Sequence, residues 1–151
     1  DVMQQGFPQR MQPCELFAAM STAKAFGQKS GGGLYGKDGK TKGPGRKVLA
    51  DLRAQRGAPG REASRSELVH RLIYPLVDEA FRCLDEGIVQ SEADLDLGLV
   101  MGIGFPPFTG GITQFAAREG LGTIVGALDE LARSHGPRFQ VSDGLRRRAV
   151  V

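Results

Sequence analysis

Two side chains near the middle of the chain have the types and spacing of a general acid–base pair. Glu67 and His70 lie three residues apart in SELVHRL, so a helix would place the carboxylate beside the imidazole. A carboxylate that orients a histidine is typical of a general base. The same spacing is common on ordinary helices, and the sequence shows no nucleophile or oxyanion donor nearby. We therefore interpret His70 as a partly buried structural residue, with a small independent catalyst built on His70 and Glu67 as the alternative.

A glycine-rich segment at 26–45, FGQKSGGGLYGKDGKTKGPG, contains two partial phosphate-binding patterns. Gly31, Gly33 and Gly36 match GxGxxG, and Gly31 with the later Gly-Lys pair nearly matches a P-loop. Both patterns bind phosphate only between a buried strand and the N-terminus of a helix. The flanking sequence predicts neither element, and Asp38 would put negative charge where a P-loop has Ser or Thr. We expect a structural loop with a brief extended piece.

Basic residues are concentrated in the same part of the chain. Between positions 24 and 71 there are 12 Lys or Arg against 4 Asp or Glu, whereas 72–145 has 4 against 11. This division favours complementarity between parts of one protein over nucleic-acid binding. Tyr35 is the one aromatic residue beside the basic residues at 37–47, which is too few for a single-strand binder. The basic residues that would touch phosphate are Lys37, Lys40, Lys42, Arg46 and Lys47.

The remaining chemical groups are scattered. Cys14 and Cys83 lack metal or redox spacing, which is typical of reduced thiols in a cytoplasmic protein, and His135 precedes Gly-Pro at a helix end. The carboxylates have the positions of solvated helix faces and first turns; they are Asp78, Glu79, Asp85, Glu86, Glu92, Asp94 and Asp96. We predict no catalytic, cofactor-binding or metal-binding residue in this chain.

The elements that would hold these groups are predicted to be helices. The most strongly patterned is 66–87, where two adjacent apolar rows are Leu68, Leu72, Leu76, Ala80 and Leu84, and Val69, Ile73, Val77 and Phe81. Ser64 and Glu67 have capping-box spacing, and Gly87 suits a helix end. Pro75 should bend the helix because proline lacks the N–H donor. The residues expected to face solvent are Arg71, Asp78, Arg82, Asp85 and Glu86.

Shorter apolar patterns predict further helices. Ser91 and Asp94 have capping spacing for a helix to about Ile103, whose buried face should be Leu95, Leu99, Val100 and Ile103. Other helices are expected at about 16–23, 46–55, 112–119 and 121–134, with a final turn at 143–148. No period-2 strand and no apolar run near the ~20 residues of a membrane span occur. The sequence thus predicts an all-α fold.

Several long motifs occur together in an order that resembles a known family. They are GFPQRMQ at 6–12, FGQKSGGGLY at 26–35, IYPLVDEAFRCLDEGI at 73–88, LVMGIGFPPFTGG at 99–111 and GPRFQVSDGLRRRA at 136–149. The chain resembles the C-terminal region of the multifunctional fatty-acid oxidation complex α subunit, which joins enoyl-CoA hydratase to NAD-dependent L-3-hydroxyacyl-CoA dehydrogenase. Leu34 departs from the aromatic residue that the family usually has at that position.

The resemblance implies a helical 3-hydroxyacyl-CoA dehydrogenase C-terminal domain, of the 6-phosphogluconate dehydrogenase C-terminal-like type, with a Gly/Lys-rich loop. It divides the chain into the tail of a first helical repeat (1–46), a linker (47–63) and a second helical repeat (64–151). His70 stands where the first repeat has a functional asparagine, which implies a structural copy. Because the chain opens on DVMQQGFPQR without an initiator Met, we expect a piece of a longer protein.

The family's catalytic groups lie upstream of the matching motifs, so the piece alone should be inactive and bind no cofactor. NAD would belong to the full-length enzyme. The implied partners are the upstream NAD-binding and hydratase domains, an acyl-CoA substrate for the whole enzyme, and a thiolase subunit. From the thiols, the charge distribution and the lack of a long apolar run we expect a cytoplasmic enzyme, with no nucleic-acid partner and no membrane span. The alternative function is a binding module that uses the basic 24–71 region for CoA phosphates or nucleic acid.

Overall fold

The protein is all-α in a computed structural model that describes residues 2–8, 10–57 and 62–150. Extended pairing among these residues is limited to two isolated bridges, Gly27 with Gly32 and Tyr35 with Lys42. The helices are α1 (Val2–Gly6), α2 (Glu15–Thr22), α3 (Gly45–Gln55), α4 (Arg65–Leu72), α5 (Tyr74–Asp85), α6 (Glu92–Ile103), α7 (Ile112–Glu119), α8 (Leu121–His135) and α9 (Asp143–Ala149). Three 3₁₀ turns lie at Gln28–Ser30, Pro107–Thr109 and Pro137–Phe139.

The chain divides into two compact units, Asp1–Glu62 and Ala63–Val151. The predicted linker, 47–63, overlaps the predicted helix at about 46–55, which the structure has as α3. Most of its first half is α3, which packs against α2 and therefore belongs to the first unit. Residues 58–61 lie outside the described part of the chain. The second unit begins one residue before the predicted start of the second repeat.

The first unit is held together by helix packing around a glycine-rich loop rather than by a large apolar core. Its two longer helices, α2 and α3, contact each other, and Arg56 pairs with Glu15 between their ends. Among the described residues of this unit, Ala25 is the buried apolar side chain, whereas Phe17 and Phe26 are exposed. Little apolar surface is therefore removed from water within this unit.

The predicted long helix at 66–87 is two helices in the structure. Ser64 caps α4, its Oγ accepting the Glu67 N–H at 3.1 Å, as the capping-box spacing predicts. The helix breaks at Ile73, and Pro75 lies in the first turn of α5, where a missing N–H costs nothing. The end is a Schellman motif: Gly87 has φ +70°, and the Ile88 N–H donates to Cys83 O at 2.9 Å.

The break changes which apolar residues are buried. Leu68 and Leu72 were expected in one continuous buried row with α5, but both are exposed. Because α4 ends at Leu72, its face does not continue that of α5.

The buried core belongs to the second unit and consists of Tyr74, Val77, Ala80, Phe81, Leu95, Phe105, Ile112, Ala116, Ile124, Leu128, Leu131, Phe139, Val141 and Leu145. Each large aliphatic or Phe side chain there contributes about 1.5–3 kcal/mol on full burial.

The later helices begin and end close to their predicted boundaries. Ser91 caps α6 by accepting the Asp94 N–H at 3.1 Å, and Gly104, with φ +72°, ends it. Ile103, predicted on the buried face, is exposed because it lies in the last position of α6, just before this turn. The final turn predicted at 143–148 is the helix α9, capped by Ser142.

Candidate functional site

Glu67 and His70, the predicted acid–base pair, each contact a different residue of the helices α4 and α5. The Glu67 carboxylate pairs with Arg71, one turn later in α4, at 3.4 Å. The His70 ring stacks on Tyr74, with ring centroids 4.7 Å apart. A half-buried histidine stacked on a core tyrosine packs the junction between α4 and α5. This geometry agrees with the structural interpretation of His70.

Tyr74 is the most deeply buried polar group near His70. Its hydroxyl donates to Glu119 Oε2 on α7 at 2.9 Å. Burial, together with the neighbouring carboxylate that accepts this bond, raises the pKa of Tyr74 to about 12. A phenol held protonated in this way ties α5 to α7 and is a poor proton donor or acceptor near neutral pH.

The glycine-rich loop satisfies its own backbone donors. Asp38 Oδ1 accepts the N–H groups of Lys40 and Thr41, each at 2.9 Å, and the Thr41 hydroxyl at 2.8 Å. These bonds hold the pKa of the Asp38 carboxyl below its usual value. The carboxylate thus accepts N–H groups of its own turn that a phosphate-binding loop would offer to a phosphate. The structure has no strand before this loop among the described residues, so it is the structural turn that the sequence predicts.

Close approach of backbone segments explains some of the loop's glycines. A Cβ on Gly43 would overlap the carbonyl oxygens of Gly33 and Tyr35, and one on Gly45 would lie 2.9 Å from Gly33 O. Gly43 and Gly45 donate to Leu34 O and Gly33 O at 3.1 and 2.8 Å. The glycines here allow the chain to fold back on itself before α3 begins.

Asp78 was predicted to face solvent, and this prediction is wrong. Its side chain is buried where α9 begins, and its Oδ1 accepts the Ser142 N–H at 2.9 Å and the Ser142 hydroxyl at 2.7 Å. Its Oδ2 accepts from Arg82 Nε at 3.1 Å. Ser142 Oγ in turn accepts the Leu145 N–H and caps α9. Asp78 therefore anchors α9 to α5, because the segment 139–145 packs over it.

Asp96 makes a similar connection from α6 to α7. Its Oδ1 accepts the Thr113 N–H at 2.8 Å, and its Oδ2 accepts the Thr113 hydroxyl at 2.5 Å. The carboxylate thus caps the first turn of α7 from a different helix. Gly111, with φ +111°, packs directly against it, and a Cβ there would lie 2.5 Å from Asp96 Oδ1.

Two further carboxylates hold α9. Asp85 Oδ1 lies 2.7 Å from Arg148 Nη1, and Asp129 on α8 accepts two bonds from Arg146 at 3.0 and 2.5 Å. The Arg146 guanidinium lowers the pKa of Asp129 below its usual value. Gly144 lies against Asp85, where any Cβ would overlap the carboxylate. These carboxylates connect helices and leave no pair poised for acid–base chemistry.

The remaining candidates are the two cysteines and the side chains that could bind a metal ion. Cys14 is exposed and Cys83 is half-buried, and neither thiol is in a disulfide. Across residues 2–8, 10–57 and 62–150, no three His, Cys, Asp or Glu side chains are grouped as a metal site would require. In the same residues no helix has the length and apolar character needed to cross a membrane.

The surface with the strongest functional signal is one that the sequence patterns did not single out. From Leu97 to the end of α6 every residue is apolar or glycine, so the helix has no polar side to turn to water. Leu97 is 63% exposed and Met101 78% exposed. Phe108, in the 3₁₀ turn that follows α6, is 87% exposed. A helix that is apolar on all sides is normally buried.

A groove lies beside these residues. It has a volume of about 620 Å³ and is lined by Leu97, Val100 and Pro107, with Asp96 and Thr113 also in its wall. We call Leu97, Met101, Ile103 and Phe108 the α6 surface. Glu92 and Gln114 also line the groove, Asp96 and Thr113 are bonded to each other, and most of the lining surface is apolar. The sequence feature that could have indicated the α6 surface is the charge-free run LGLVMGIG at 97–104.

A comparison with known protein families finds no family model that matches this chain.

Proposed function

We propose that this chain is the C-terminal helical part of an NAD-dependent L-3-hydroxyacyl-CoA dehydrogenase, a multifunctional enzyme of fatty-acid β-oxidation that also carries an enoyl-CoA hydratase. Its role is to pack against and support the dehydrogenase half, and it supplies no catalytic group. In the whole enzyme, which acts on acyl-CoA, the upstream domains bind NAD and perform the chemistry. A thiolase subunit is a further partner of the whole enzyme, which acts in the cytoplasm.

The observation that carries this proposal is the α6 surface. A group of neighbouring large apolar side chains, all more than half exposed, is typical of a surface that another part of an assembly covers. Leu68 and Leu72 give α4 a second exposed apolar face. The resemblance supplies the partner, because LVMGIGFPPFTGG at 99–111 spans the end of α6 and the turn that carries Phe108. The all-α fold suits a dehydrogenase C-terminal domain.

The carboxylate contacts support a structural role. Asp78, Asp96 and Asp129 each accept a hydrogen bond from a residue outside their own helix. Groups used to fix helix positions are not available to transfer protons. His70 and Glu67 have separate partners, which disfavours the independent-catalyst alternative.

The test is to place charge on the α6 surface of the full-length enzyme, with Leu97→Glu and Met101→Glu combined. Burying either apolar side chain contributes about 1.5–3 kcal/mol, so two carboxylates in that interface should lower kcat/KM for L-3-hydroxybutyryl-CoA at least tenfold, as followed by NADH formation. Val150→Glu, at another exposed apolar residue, is the matched control and should leave activity unchanged.

The same double variant in the isolated 151-residue chain separates an interface from a folding defect. Because both residues are exposed, its free energy of unfolding should change by no more than about 0.5 kcal/mol per substitution. The isolated chain should form no NADH from this substrate. Activity of the full-length double variant equal to that of Val150→Glu would contradict the proposal, as would turnover by the isolated chain.

A further inference from the structure

A compact turn in the first unit presents lysines on a fixed backbone. We call residues 36–42, with Lys37, Lys40 and Lys42, the lysine turn. Asp38 fixes it through three hydrogen bonds, and the Gly36 N–H donates to Thr41 O at 2.8 Å. Because the backbone is fixed, the three side chains start from defined positions, and less ordering is needed when they bind a ligand.

The positive charge of this turn is not neutralised within the described residues. Lys37, Lys40 and Lys42 are exposed, and no carboxylate there lies within 4.0 Å of their ammonium groups. The one carboxylate of the turn, Asp38, is committed to the backbone. Five Lys or Arg against one Asp between positions 36 and 47 leave a concentrated cationic surface. Such a surface attracts anions and is most effective toward groups with more than one negative charge.

An aromatic ring lies beside the lysines. Tyr35 pairs with Lys42 in an isolated antiparallel bridge, which places the two side chains next to each other on one face. The ring is 55% exposed, and the Arg46 guanidinium lies 5.3 Å from its centroid. An exposed ring next to cations can stack on a nucleobase while the cations contact phosphates.

From these contacts we infer that the lysine turn binds the phosphate groups of a small nucleotide ligand through Lys37, Lys40 and Lys42, with its base on Tyr35. Recognition comes from the side chains, since the backbone N–H groups of Lys40 and Thr41 are already bonded to Asp38. A single ring provides one stacking position, which suits one nucleotide rather than a strand of nucleic acid. The identification of CoA as the source of the phosphates rests on the proposed function, but phosphate recognition itself does not.

The test is calorimetric titration of the full chain with adenosine 3′,5′-bisphosphate, pyrophosphate and CoA at low salt. The bisphosphate should bind more tightly than pyrophosphate, and CoA at least as tightly as the bisphosphate. Each exposed ion pair contributes a factor of roughly two to three, so Lys37→Gln, Lys40→Gln and Lys42→Gln combined should weaken binding about tenfold. Tyr35→Leu should weaken the bisphosphate and leave pyrophosphate unchanged.

The matched control removes the same charge from the same unit outside the turn, with Lys24→Gln, Lys29→Gln and Arg53→Gln, all at exposed positions. It should weaken binding less than threefold. Equal weakening by both triple variants, or no binding of any probe to the natural chain, would overturn the inference. Much tighter binding of a single-stranded oligonucleotide would overturn it in favour of nucleic acid. If the bisphosphate binds but CoA does not, the assignment of CoA as the ligand is overturned. The activity of the α6 variants tests the proposed function separately.

Discussion

Replacing Gly144 by alanine tests whether close packing or helix propensity controls the last helix. Gly144 is the second residue of α9, where alanine would ordinarily be favoured over glycine. In a helix interior that preference is worth about 0.8–1 kcal/mol, and less in a first turn. Propensity alone therefore predicts a slightly more stable protein.

The structure predicts the opposite sign. The new Cβ would lie 2.7 Å from Asp85 Cγ and overlap its carboxylate, so Asp85 must move. Moving it breaks the 2.7 Å contact with Arg148, between side chains 26% and 35% exposed. Such a partly exposed pair contributes up to about 1 kcal/mol, and insertion of a methyl group into packed structure costs typically 1–3 kcal/mol. After the propensity gain is subtracted, we expect a net destabilisation of about 1–2 kcal/mol.

Urea unfolding at neutral pH measures this value. The chain contains no Trp and two Tyr, and Tyr74 is buried in the second unit, so its near-ultraviolet circular dichroism follows that unit. Gly126→Ala is the matched control, because its Cβ would meet nothing within 4 Å in the middle of α8. That variant should be more stable by about 0.5–1 kcal/mol.

A double variant completes the experiment. With Asp85→Ala present, the clash at residue 144 disappears, so Gly144→Ala should then be neutral or stabilising. The interaction energy between the two substitutions should be about 1 kcal/mol or more, as expected for residues in contact. A stabilised Gly144→Ala single variant, or additive effects in the double variant, would refute the packing explanation.

Two more predictions concern the second unit. Gly111→Ala should destabilise this unit by about 2–4 kcal/mol, because it combines a left-handed backbone conformation, an overlap with Asp96 and loss of the Asp96 cap. Urea unfolding measures this change, and Gly98→Ala, where a Cβ meets nothing within 4 Å, is the control. Tyr74→Phe should reduce the loss of stability at alkaline pH: because its folded pKa is raised from about 10 to about 12, Tyr74 stabilises the fold fully below pH 10 and loses this contribution between pH 10 and 12. Equal stability of the two glycine variants, or parallel alkaline profiles for Tyr74→Phe and the natural chain, would contradict these expectations.

The helices and their ends were largely predictable because their signals are local. Ser64, Ser91 and Gly87 act within three or four residues of their own positions, and the structure has each of them as cap or terminator. Pro75 was expected to bend a helix, and it separates α4 from α5. Local patterns sufficed for these features since a cap or a proline acts on its own turn.

The helix-to-helix contacts were not predictable, because their partners are distant in the sequence. Asp96 bonds to Thr113, 17 positions later, and no repeat or spacing links the two. Asp78 lies among polar residues on the side of α5 opposite its apolar row, so periodicity assigns it to solvent. Only tertiary packing brings Ser142 over it. The α6 surface was missed for a related reason, since an apolar run indicates burial without showing which element covers it.

The bond between Asp78 and Ser142 spans 64 positions of chain, and this has a consequence for how the second unit forms. Closing a loop of that length carries an entropic cost that grows with its logarithm, so this contact should form late in folding. During synthesis on a ribosome, Asp78 remains hydrated until residue 142 has emerged from the exit tunnel. Because Phe139, Val141 and Leu145 belong to the same core, the second unit completes that core only once the chain through α9 is available.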